Sequence, residues 1–166
     1  MKDENYWIDK LKLEPHPEGG YFKEIYRSQE IIPKSALPER FSGDRVFSTS
    51  IYFLLNKSNF SAFHHIKQDE LWHFYDGSAL TIHVIDLNSA YYAAKLGRNA
   101  DEGEFPQVIV NAGCYFAAEI NDKSSYTLAG CTVAPGFDFA DFEMPGKSRL
   151  IELFPQYEEI IRKFTR

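Results

Sequence analysis

Cysteine is scarce in this sequence, and only Cys114 and Cys131 occur among its 166 residues. Their positions form neither the closely spaced pairs of a zinc-binding motif nor a thioredoxin-type motif. We therefore expect both to be small buried side chains in a reducing compartment, where free cysteine behaves as a hydrophobic residue. A nucleophilic role is the alternative, although the sequence carries no sign of an activated thiol.

Long hydrophobic runs and an excess of positive charge are also lacking. No apolar stretch approaches the roughly 18 residues of a membrane-spanning helix, and the N-terminal residues lack the basic and then apolar pattern of a secretory signal. The formal net charge is −6 and the isoelectric point is near 5.4, so the field of the protein repels phosphate backbones and anionic lipids. We expect a cytoplasmic protein that binds neither nucleic acid nor membranes.

Aromatic residues, by contrast, are abundant, at 16% of the chain. Aromatic and β-branched side chains favour the pleated, half-buried surface of a sheet. A length of 166 residues is typical of one compact domain with a hydrophobic core of its own. We therefore predict a single domain over residues 1–166 that is rich in strands.

Short runs of alternating or β-branched residues follow one another along most of the chain. Turn signals such as Asp76-Gly77 and Pro135-Gly136 separate these runs so closely that helical crossovers between parallel strands do not fit. The pattern predicts an all-β domain, built as an antiparallel sandwich, barrel or jelly roll. The predicted strands cover residues 21–28, 46–55, 60–66, 71–75, 80–85, 91–96, 108–110, 115–120 and 126–133.

A helix is predicted at each end of the chain. Residues 4–12 carry apolar side chains without period-2 order before the break at Pro15, which indicates a short helix on the outside of the sheets. Near the C-terminus, after Pro155, apolar residues recur at i, i+3, i+4 and i+7 between Tyr157 and Phe164. This spacing predicts a closing amphipathic helix.

A dense cluster of chemically capable side chains lies between residues 64 and 73, where three histidines accompany Glu70. Successive side chains of a strand face opposite sides, so His64 and His65 cannot both point into the domain. The same alternation places Glu70 and Trp72 on one face and His73 on the other. A carboxylate beside an indole in a partly dry cavity has a raised pKa, which suits it to donate or accept a proton near neutral pH.

Five segments, spread over nearly the whole chain, together resemble a known family: HPEGGYFKEIYRS, TSIYFLL, FHHIKQDELWHFYDG, NAGCYFAAE and GCTVAPGFDFADFE. By this combination the chain is similar to the cupin-type family of unknown function called Cupin_5. The resemblance implies a cupin double-stranded β-helix, which is a jelly-roll barrel, with a small-molecule pocket inside it and pairing into a homodimer. It also implies an architecture related to epimerases that act on nucleotide-linked keto sugars, but no established reaction.

The stretch 65–77 also matches the second half of the first cupin motif, in which histidines and a glutamate meet inside the barrel to hold a metal. Phe63 stands where that motif has its first histidine, and Phe116 stands where a later strand supplies another. In Cupin_5 the segment reads Phe-His-Arg, so the characteristic histidine of the family corresponds to His64. The resemblance therefore implies that His64 points into the barrel, and no cofactor is expected.

These observations lead to a first hypothesis: a metal-independent enzyme of the isomerase or epimerase class that moves a proton next to a carbonyl in a sugar-like or keto-acid ligand. His64 is the candidate base, and Glu70 orients or protonates it. Tyr52 is the candidate acid, with Tyr26 as the alternative and as a ligand-binding residue. The further candidate ligand-binding residues are Arg27, for an anionic group, and Trp72, His73, Phe116 and Asp141.

Two other functions stay open. A metal-dependent cupin would use His64, Glu70 and His73 to hold a divalent cation such as Zn²⁺, Ni²⁺, Mn²⁺ or Fe²⁺. A non-catalytic module would hold a ligand in the aromatic barrel without turnover. In the purely structural alternative, His64 and Glu70 share one hydrogen bond in the lining of the barrel.

Two loops flank these candidates. The segment 16–22 contains two glycines and is predicted to be a structural turn, which can present Glu18 toward a pocket mouth or a subunit interface. The segment 137–143 alternates phenylalanine with acidic residues and resembles a strand. Within it, the family resemblance implies that Asp141 is the acid that projects toward the pocket or pairs with Arg27.

Overall fold

The computed structural model describes residues 3–166, so residues 1 and 2 of the predicted domain lie outside the described part. The helices are α1 (Glu4–Leu11), α2 (Lys147–Leu153) and α3 (Glu158–Lys163). The strands are β1 (Glu14–Pro15), β2 (Tyr21–Arg27), β3 (Ile31–Ile32), β4 (Arg45–Val46), β5 (Thr49–Asn56), β6 (Ser61–His64), β7 (Asp69–Gly77), β8 (Leu80–Ile85), β9 (Tyr91–Leu96), β10 (Glu104–Phe105), β11 (Gln107–Val110), β12 (Tyr115–Ile120) and β13 (Tyr126–Ala134).

Two large sheets form the domain. One has the strand order β1-β2-β5-β13-β7-β11, the other has the order β10-β9-β8-β12-β6, and β3 and β4 make a small ribbon. The pairing of β9 with β10 is parallel, and the other named strand pairs between residues 3 and 166 are antiparallel. The predicted antiparallel all-β fold is confirmed.

Alternation along the strands builds the core between the sheets. In β5, Phe53 and Leu55 enter the main core, whereas Leu54 between them belongs to a separate cluster on the outside. Trp72 of β7 and Phe116 of β12 reach the same main core from the two sheets. Burial of such large apolar side chains is the principal source of stability for the sandwich.

Helix α1 covers the outside of the six-stranded sheet, as predicted. Its residues Trp7, Ile8 and Leu11 pack against a cluster that includes Leu54 and Leu128. The preceding Asp3 accepts a hydrogen bond from the backbone N–H of Tyr6 at 2.8 Å, which is the usual way for an aspartate to begin a helix.

The C-terminal residues cover the outside of the five-stranded sheet. The predicted amphipathic helix is present as α3, preceded by a 3-10 turn over Pro155–Tyr157, while α2 was not predicted. Leu150 of α2 and Ile161 of α3 pack in one cluster with Phe63 of β6 and with Phe164. None of the helices within residues 3–166 is long and apolar enough to cross a membrane.

The segment 137–143 is not a strand, and this prediction is wrong. Phe139–Asp141 form a 3-10 turn, which begins where the side chain of Asp138 accepts a hydrogen bond from the backbone N–H of Ala140 at 2.8 Å. A short acidic side chain that bonds to its own backbone competes with strand pairing, and alternation alone does not reveal that competition.

A buried ion pair fastens this segment to the sandwich. The Nε of Arg45 donates to Asp141 at 2.6 Å, and the Nε2 of Gln68 donates to the same carboxylate at 2.8 Å. The side chains of Arg45 and Asp141 are 4% and 0% exposed. Asp141 therefore pairs with Arg45 rather than with Arg27, and it does not project into the pocket.

We predict that Arg45→Met lowers the free energy of unfolding by about 3 kcal/mol, because it leaves the buried carboxylate of Asp141 without its main partner. Urea denaturation of the wild type and the variant measures this loss. Arg149→Met is the control, since Arg149 pairs with Glu152 on the surface and its loss should cost about 0.5 kcal/mol or less. Equal losses in the two variants would contradict a structural role for the buried pair.

Candidate functional site

A cavity of about 390 Å³ opens between the sheet that contains β2, β5, β7 and β13 and the segment 137–142. Its apolar walls come mainly from aromatic rings, those of Phe22, Phe53, Phe137, Phe139 and Phe142, together with the aliphatic side chains of Ile51, Ile66 and Val133. Its acidic lining groups are Glu18, Glu24, Glu70 and Asp138. Arg27 and Phe139, which are exposed to solvent, mark the mouth, and the buried His64 and Glu70 lie at the floor.

His64 points into the cavity, as the resemblance implies, but both of its ring nitrogens are already occupied. Nδ1 lies 2.7 Å from the carbonyl oxygen of Ala62, and Nε2 lies 3.0 Å from the carboxylate of Glu18. Both partners are acceptors, so both ring nitrogens must carry protons and the ring is an imidazolium. Burial alone lowers the pKa of His64, but the charge and hydrogen bond of Glu18 outweigh it, so that the pKa is raised above its ordinary value.

Glu18 is the fixed anion of this pair. Burial raises the pKa of its carboxyl, but His64, His16 and the hydroxyl of Ser61, which donates at 3.0 Å, together lower it below its usual range. The Glu18 side chain is 8% exposed, so the pair with His64 is held away from solvent. Such a pair is weakly screened by salt and strongly sensitive to the loss of one partner.

Two glycines present Glu18 at this position. Gly19 and Gly20 have φ values of +116° and +77°, which a residue with a Cβ rarely adopts. A Cβ on Gly19 would lie 2.0 Å from the carbonyl oxygen of Phe60, so the chain approaches β6 too closely for any side chain. The predicted structural turn at 16–22 is therefore present, and it places Glu18 at the floor of the cavity.

His16, also in the lining, is neutral. Its Nδ1 accepts the backbone N–H of Glu18 at 3.3 Å, so the proton of the ring is on Nε2. Burial lowers the pKa of His16 more than the nearby Glu18 raises it. Within residues 3–166 the Nε2 of His16 has no hydrogen-bond partner, which leaves an N–H donor on a ring that packs edge-on against Phe22 at 4.6 Å.

Glu70 is a buried carboxyl group of the lining without a charged partner in direct contact. It lies on β7 opposite Val110 and Val133 and is 9% exposed, and no ion pair to it is formed in the described part of the chain. Burial raises its pKa, which the charge of His64 and a hydrogen bond from Cys131 partly offset, and the resulting pKa is about 7. At neutral pH this carboxyl exchanges readily between its protonated and ionised forms.

Both cysteines are buried, as expected. Cys131 lines the cavity beside Glu70, and burial raises the pKa of its thiol well above the usual range, so it stays protonated. Cys114 lies in the main core, where burial also raises its pKa. Neither environment favours a thiolate nucleophile.

A β-bulge decides which residues of β2 face the cavity. Glu24 pairs with Ile51 and Tyr26 pairs with Ser50, so Ile25 is an extra residue in the strand. The bulge turns Arg27 to the same side as Glu24, and both line the mouth of the cavity. It also turns Tyr26 outward, where it is 53% exposed, so the assignment of Tyr26 to the ligand site is wrong.

Two further candidates face away from the cavity. Tyr52 follows the alternation of β5 to the outside and packs edge-on against Tyr75 with 6.0 Å between ring centroids. His73 lies on the outer face of β7, where its ring nitrogens are within hydrogen-bond distance of Thr132 and Gln107. Tyr52 as the acid and His73 as a ligand-binding residue are therefore corrected.

Trp72 and Phe116 point inward but lie behind the site rather than in its lining. Phe116 packs against the ring of His64 with 4.1 Å between centroids, and Trp72 packs against Phe53 with 5.5 Å. They support the floor and do not meet a ligand in the cavity directly. The predicted common face of Glu70 and Trp72 is nevertheless the one observed.

The donor set does not fit a cupin metal centre. The ring nitrogens of His64 are both engaged, the ring of Phe116 fills the neighbouring space, and His73 lies outside. Over residues 3–166, no three or more histidine, cysteine, aspartate or glutamate side chains are grouped so that they could hold a metal ion.

Sequence reasoning missed several groups that complete the site. Glu24, His16 and Cys131 were not identified as lining residues, and Glu18 was placed only at a mouth or an interface. The glycine pair of the turn was the available signal for Glu18, because such a pair permits a close approach to another strand. The partner strand itself is 43 residues away, and short-range patterns do not identify it.

The raised pKa of Glu70 predicts a pH-dependent effect on stability. The ordinary pKa of the carboxyl is 4.5 and the folded-state pKa is about 7, so between these values the folded protein binds more protons than the unfolded chain. Stability contributed by Glu70 is then present below pH 4.5 and is lost as the pH rises through 7. Glu70→Gln has no titrating carboxyl at this position and does not lose this stability. Between pH 4.5 and 7, the free energy of unfolding of Glu70→Gln minus that of the wild type should therefore increase by up to about 3 kcal/mol.

Urea denaturation of both proteins at pH 5 and pH 8 measures this difference. Glu14→Gln, which removes an exposed carboxyl outside the cavity, is the control for the substitution itself. A stability difference between Glu70→Gln and the wild type that is the same at both pH values would show that Glu70 ionises normally.

Comparisons with known proteins agree with this architecture. The family model described as Cupin superfamily (DUF985) matches residues 5–145. Among solved structures, protein SO0799 from Shewanella oneidensis is 36% identical, with a TM-score of 0.90 over 100% of this chain and 99% of the other. A hypothetical protein from Leishmania major is 32% identical, with a TM-score of 0.90 over 99% of each chain.

A curated relative is the uncharacterized protein YML079W from Saccharomyces cerevisiae, which is 28% identical over 142 residues, or 81% of this chain and 71% of the relative. The names of these three proteins state no activity, so the likeness identifies a family and not a reaction. The match of the family model covers most of the described chain, including the turn of Glu18 and the strands of His64 and Glu70. The chain therefore belongs to the Cupin_5 (DUF985) family of the cupin superfamily.

Proposed function

We propose that the cavity binds a small carbonyl compound and that Glu70 transfers a proton to and from the carbon next to the carbonyl, as in an isomerase or epimerase. The observation that carries this proposal is a buried carboxyl with a pKa of about 7 at the floor of an aromatic cavity. A general base is most effective when its pKa lies near the working pH, because it is then available in the ionised form and still accepts a proton.

The base in this proposal differs from the one in the sequence hypothesis. His64 was the candidate base, but a base needs a free nitrogen lone pair, and both nitrogens of His64 carry protons bound to Ala62 and Glu18. Glu70 takes the role of the base instead. His64 becomes a positioning residue, since its charge limits how far burial raises the pKa of Glu70.

The proton transfer balances without an added reactant. Glu70 in its ionised form removes the proton from the carbon beside the carbonyl, and the electron pair moves to the carbonyl oxygen. The Nε2–H of His16 is the donor proposed to stabilise that oxygen, a task for which a neutral imidazole is suited. Glu70 then returns the proton to the former carbonyl carbon, while the hydroxyl proton of the first carbon passes to the former carbonyl oxygen, which gives an isomer. An epimer forms when the enediolate turns over in the cavity before Glu70 returns the proton to the first carbon.

A passive binding module is the second candidate. Its support is the same aromatic cavity, whose size lies in the range of small-molecule pockets and whose walls would hold a ligand without any chemistry. The two candidates differ in whether Glu70 exchanges a proton with the ligand. The misfit of the donor set described above gives no support to the metal-dependent alternative.

A cytoplasmic location and a homodimer belong to the proposal as well. Two free cysteines, both buried, support a reducing compartment, where thiols persist. Exposed apolar side chains on the outer face of the six-stranded sheet, those of Tyr26, Tyr75 and Ile109, support an association between copies of the chain.

Deuterium incorporation tests the catalytic proposal without knowledge of the product. The protein is incubated in D₂O with aldoses, ketoses and 2-oxo acids, and ¹H NMR follows the signal of the proton next to each carbonyl. We expect the wild type to accelerate exchange for at least one compound, and Glu70→Gln to reduce that rate by about 100-fold or more, since general-base catalysis contributes on the order of 10²–10⁴.

Cys131→Ala is the matched control, because it alters the same floor and leaves the carboxyl in place. We expect it to retain most of the exchange activity. Exchange that proceeds equally in Glu70→Gln would refute Glu70 as the base. Binding of a compound without exchange would favour the passive module.

A further inference from the structure

We infer that the ligand of this cavity carries no negative charge and is rich in hydroxyl groups. The guanidinium of Arg27 at the mouth already binds the carboxylate of Glu24, and the remaining polar groups of the lining are mainly hydrogen-bond acceptors. The inference rests on the proposed function for the presence of a ligand at this site, and it adds the chemical class of that ligand. It separates the two ligands of the sequence hypothesis, since a sugar-like compound fits and a keto acid does not.

Arg27 was the candidate for binding an anion, but its guanidinium is already engaged. Nε and Nη2 donate to the two carboxylate oxygens of Glu24 at 3.0 Å and 2.7 Å, and Nη1 donates to the carbonyl oxygen of Phe137 at 3.2 Å. A planar guanidinium that binds one carboxylate through two parallel hydrogen bonds has little remaining capacity for a second. The bulge at Ile25 is what brings Glu24 and Arg27 onto the same face of β2.

The charges of the lining add up to an acidic site. Its carboxyl groups are those of Glu18, Glu24, Glu70 and Asp138, and its cationic groups in the described chain are Arg27 and His64. Each cation is paired with one of the acids, His64 with Glu18 and Arg27 with Glu24. Glu70 and Asp138 remain, so an anionic ligand would meet repulsion and find no unpaired cation.

The hydrogen-bonding character of the same groups selects hydroxyls. An ionised carboxylate accepts hydrogen bonds and donates none, so a ligand held by Asp138, and by Glu70 in the ionised form that acts as the base, must bring its own donors. A sugar-like compound brings several O–H donors, whereas the carboxylate and oxo groups of a 2-oxo acid are acceptors only. The phenylalanine rings of the walls provide apolar surface for the C–H groups of such a ligand.

Matched pairs of compounds test this inference by binding, independently of turnover. D-glucose is compared with D-glucuronate, and D-fructose with D-fructose 6-phosphate, by NMR titration of the isotopically labelled protein. We expect the uncharged member of at least one pair to bind the wild type about tenfold or more tightly than its anionic partner, a difference of about 1.4 kcal/mol.

Glu24→Gln is the decisive variant, because it frees the guanidinium of Arg27. We expect it to strengthen binding of the anionic member by about tenfold or more relative to binding of the uncharged member of the same pair. The double variant Glu24→Gln with Arg27→Gln should lose that gain. Glu14→Gln, which removes an exposed carboxyl outside the cavity, should bind like the wild type.

Each outcome decides the inference. The inference is overturned if the anionic compounds bind the wild type as tightly as their uncharged partners, or if Glu24→Gln does not strengthen binding of the anionic compounds. It is also overturned if the wild type binds neither member of either pair. Failure of the proposed function looks different: uncharged compounds would bind with the expected preference, but Glu70→Gln would have no effect on deuterium exchange.

Discussion

The buried ion pair between Glu18 and His64 is the interaction on which the site depends. It joins the turn that contains Gly19 and Gly20 to strand β6, and its two partners are 46 residues apart in the sequence. The Nε2 of His64 binds Glu18, while its Nδ1 binds the carbonyl oxygen of Ala62. A histidine held in this way is a fixed positive charge and not a free base or a metal ligand. The neighbouring Glu70, which lacks such a partner, is thereby left as the titratable group of the cavity.

The rest of the cavity follows from two features that lie further out. The bulge in β2 sets Glu24 and Arg27 side by side at the mouth, so their charges cancel where a ligand would enter. The pair of Arg45 with Asp141 fastens the segment that supplies the phenylalanine wall. The mostly apolar floor then surrounds the carboxyl of Glu70, and burial raises its pKa to about 7.

Local patterns predicted the elements of the fold well. The runs at 80–85, 91–96 and 115–120 coincide with β8, β9 and β12, because side chains that alternate between a core and an outer face leave a period of two in the sequence. The same alternation placed Glu70 with Trp72 and turned His73 away from them. The family resemblance supplied what alternation could not, which is the inward direction of His64.

Several of the errors concern contacts that local patterns do not encode. The extra residue Ile25 in β2 leaves Arg27 facing the cavity and turns Tyr26 outward, and no residue type in that strand indicates a bulge. The partner of Asp141 is 96 residues away, and the hydroxyl of Ser61 is 43 residues from Glu18. A single sequence shows which side chains can form ion pairs, but the choice among them is made by the packing of the two sheets.

The protonation state of His64 tests this account most directly. Two-dimensional ¹H–¹⁵N NMR of the histidine rings near pH 7, in the wild type and in Glu18→Gln, reports it without a ligand. The account predicts protons on both ring nitrogens of His64 in the wild type and a downward shift of its pKa in Glu18→Gln, because burial then acts without the opposing carboxylate. A neutral His64 ring in the wild type near pH 7 would contradict it and would return His64 to the role of the base.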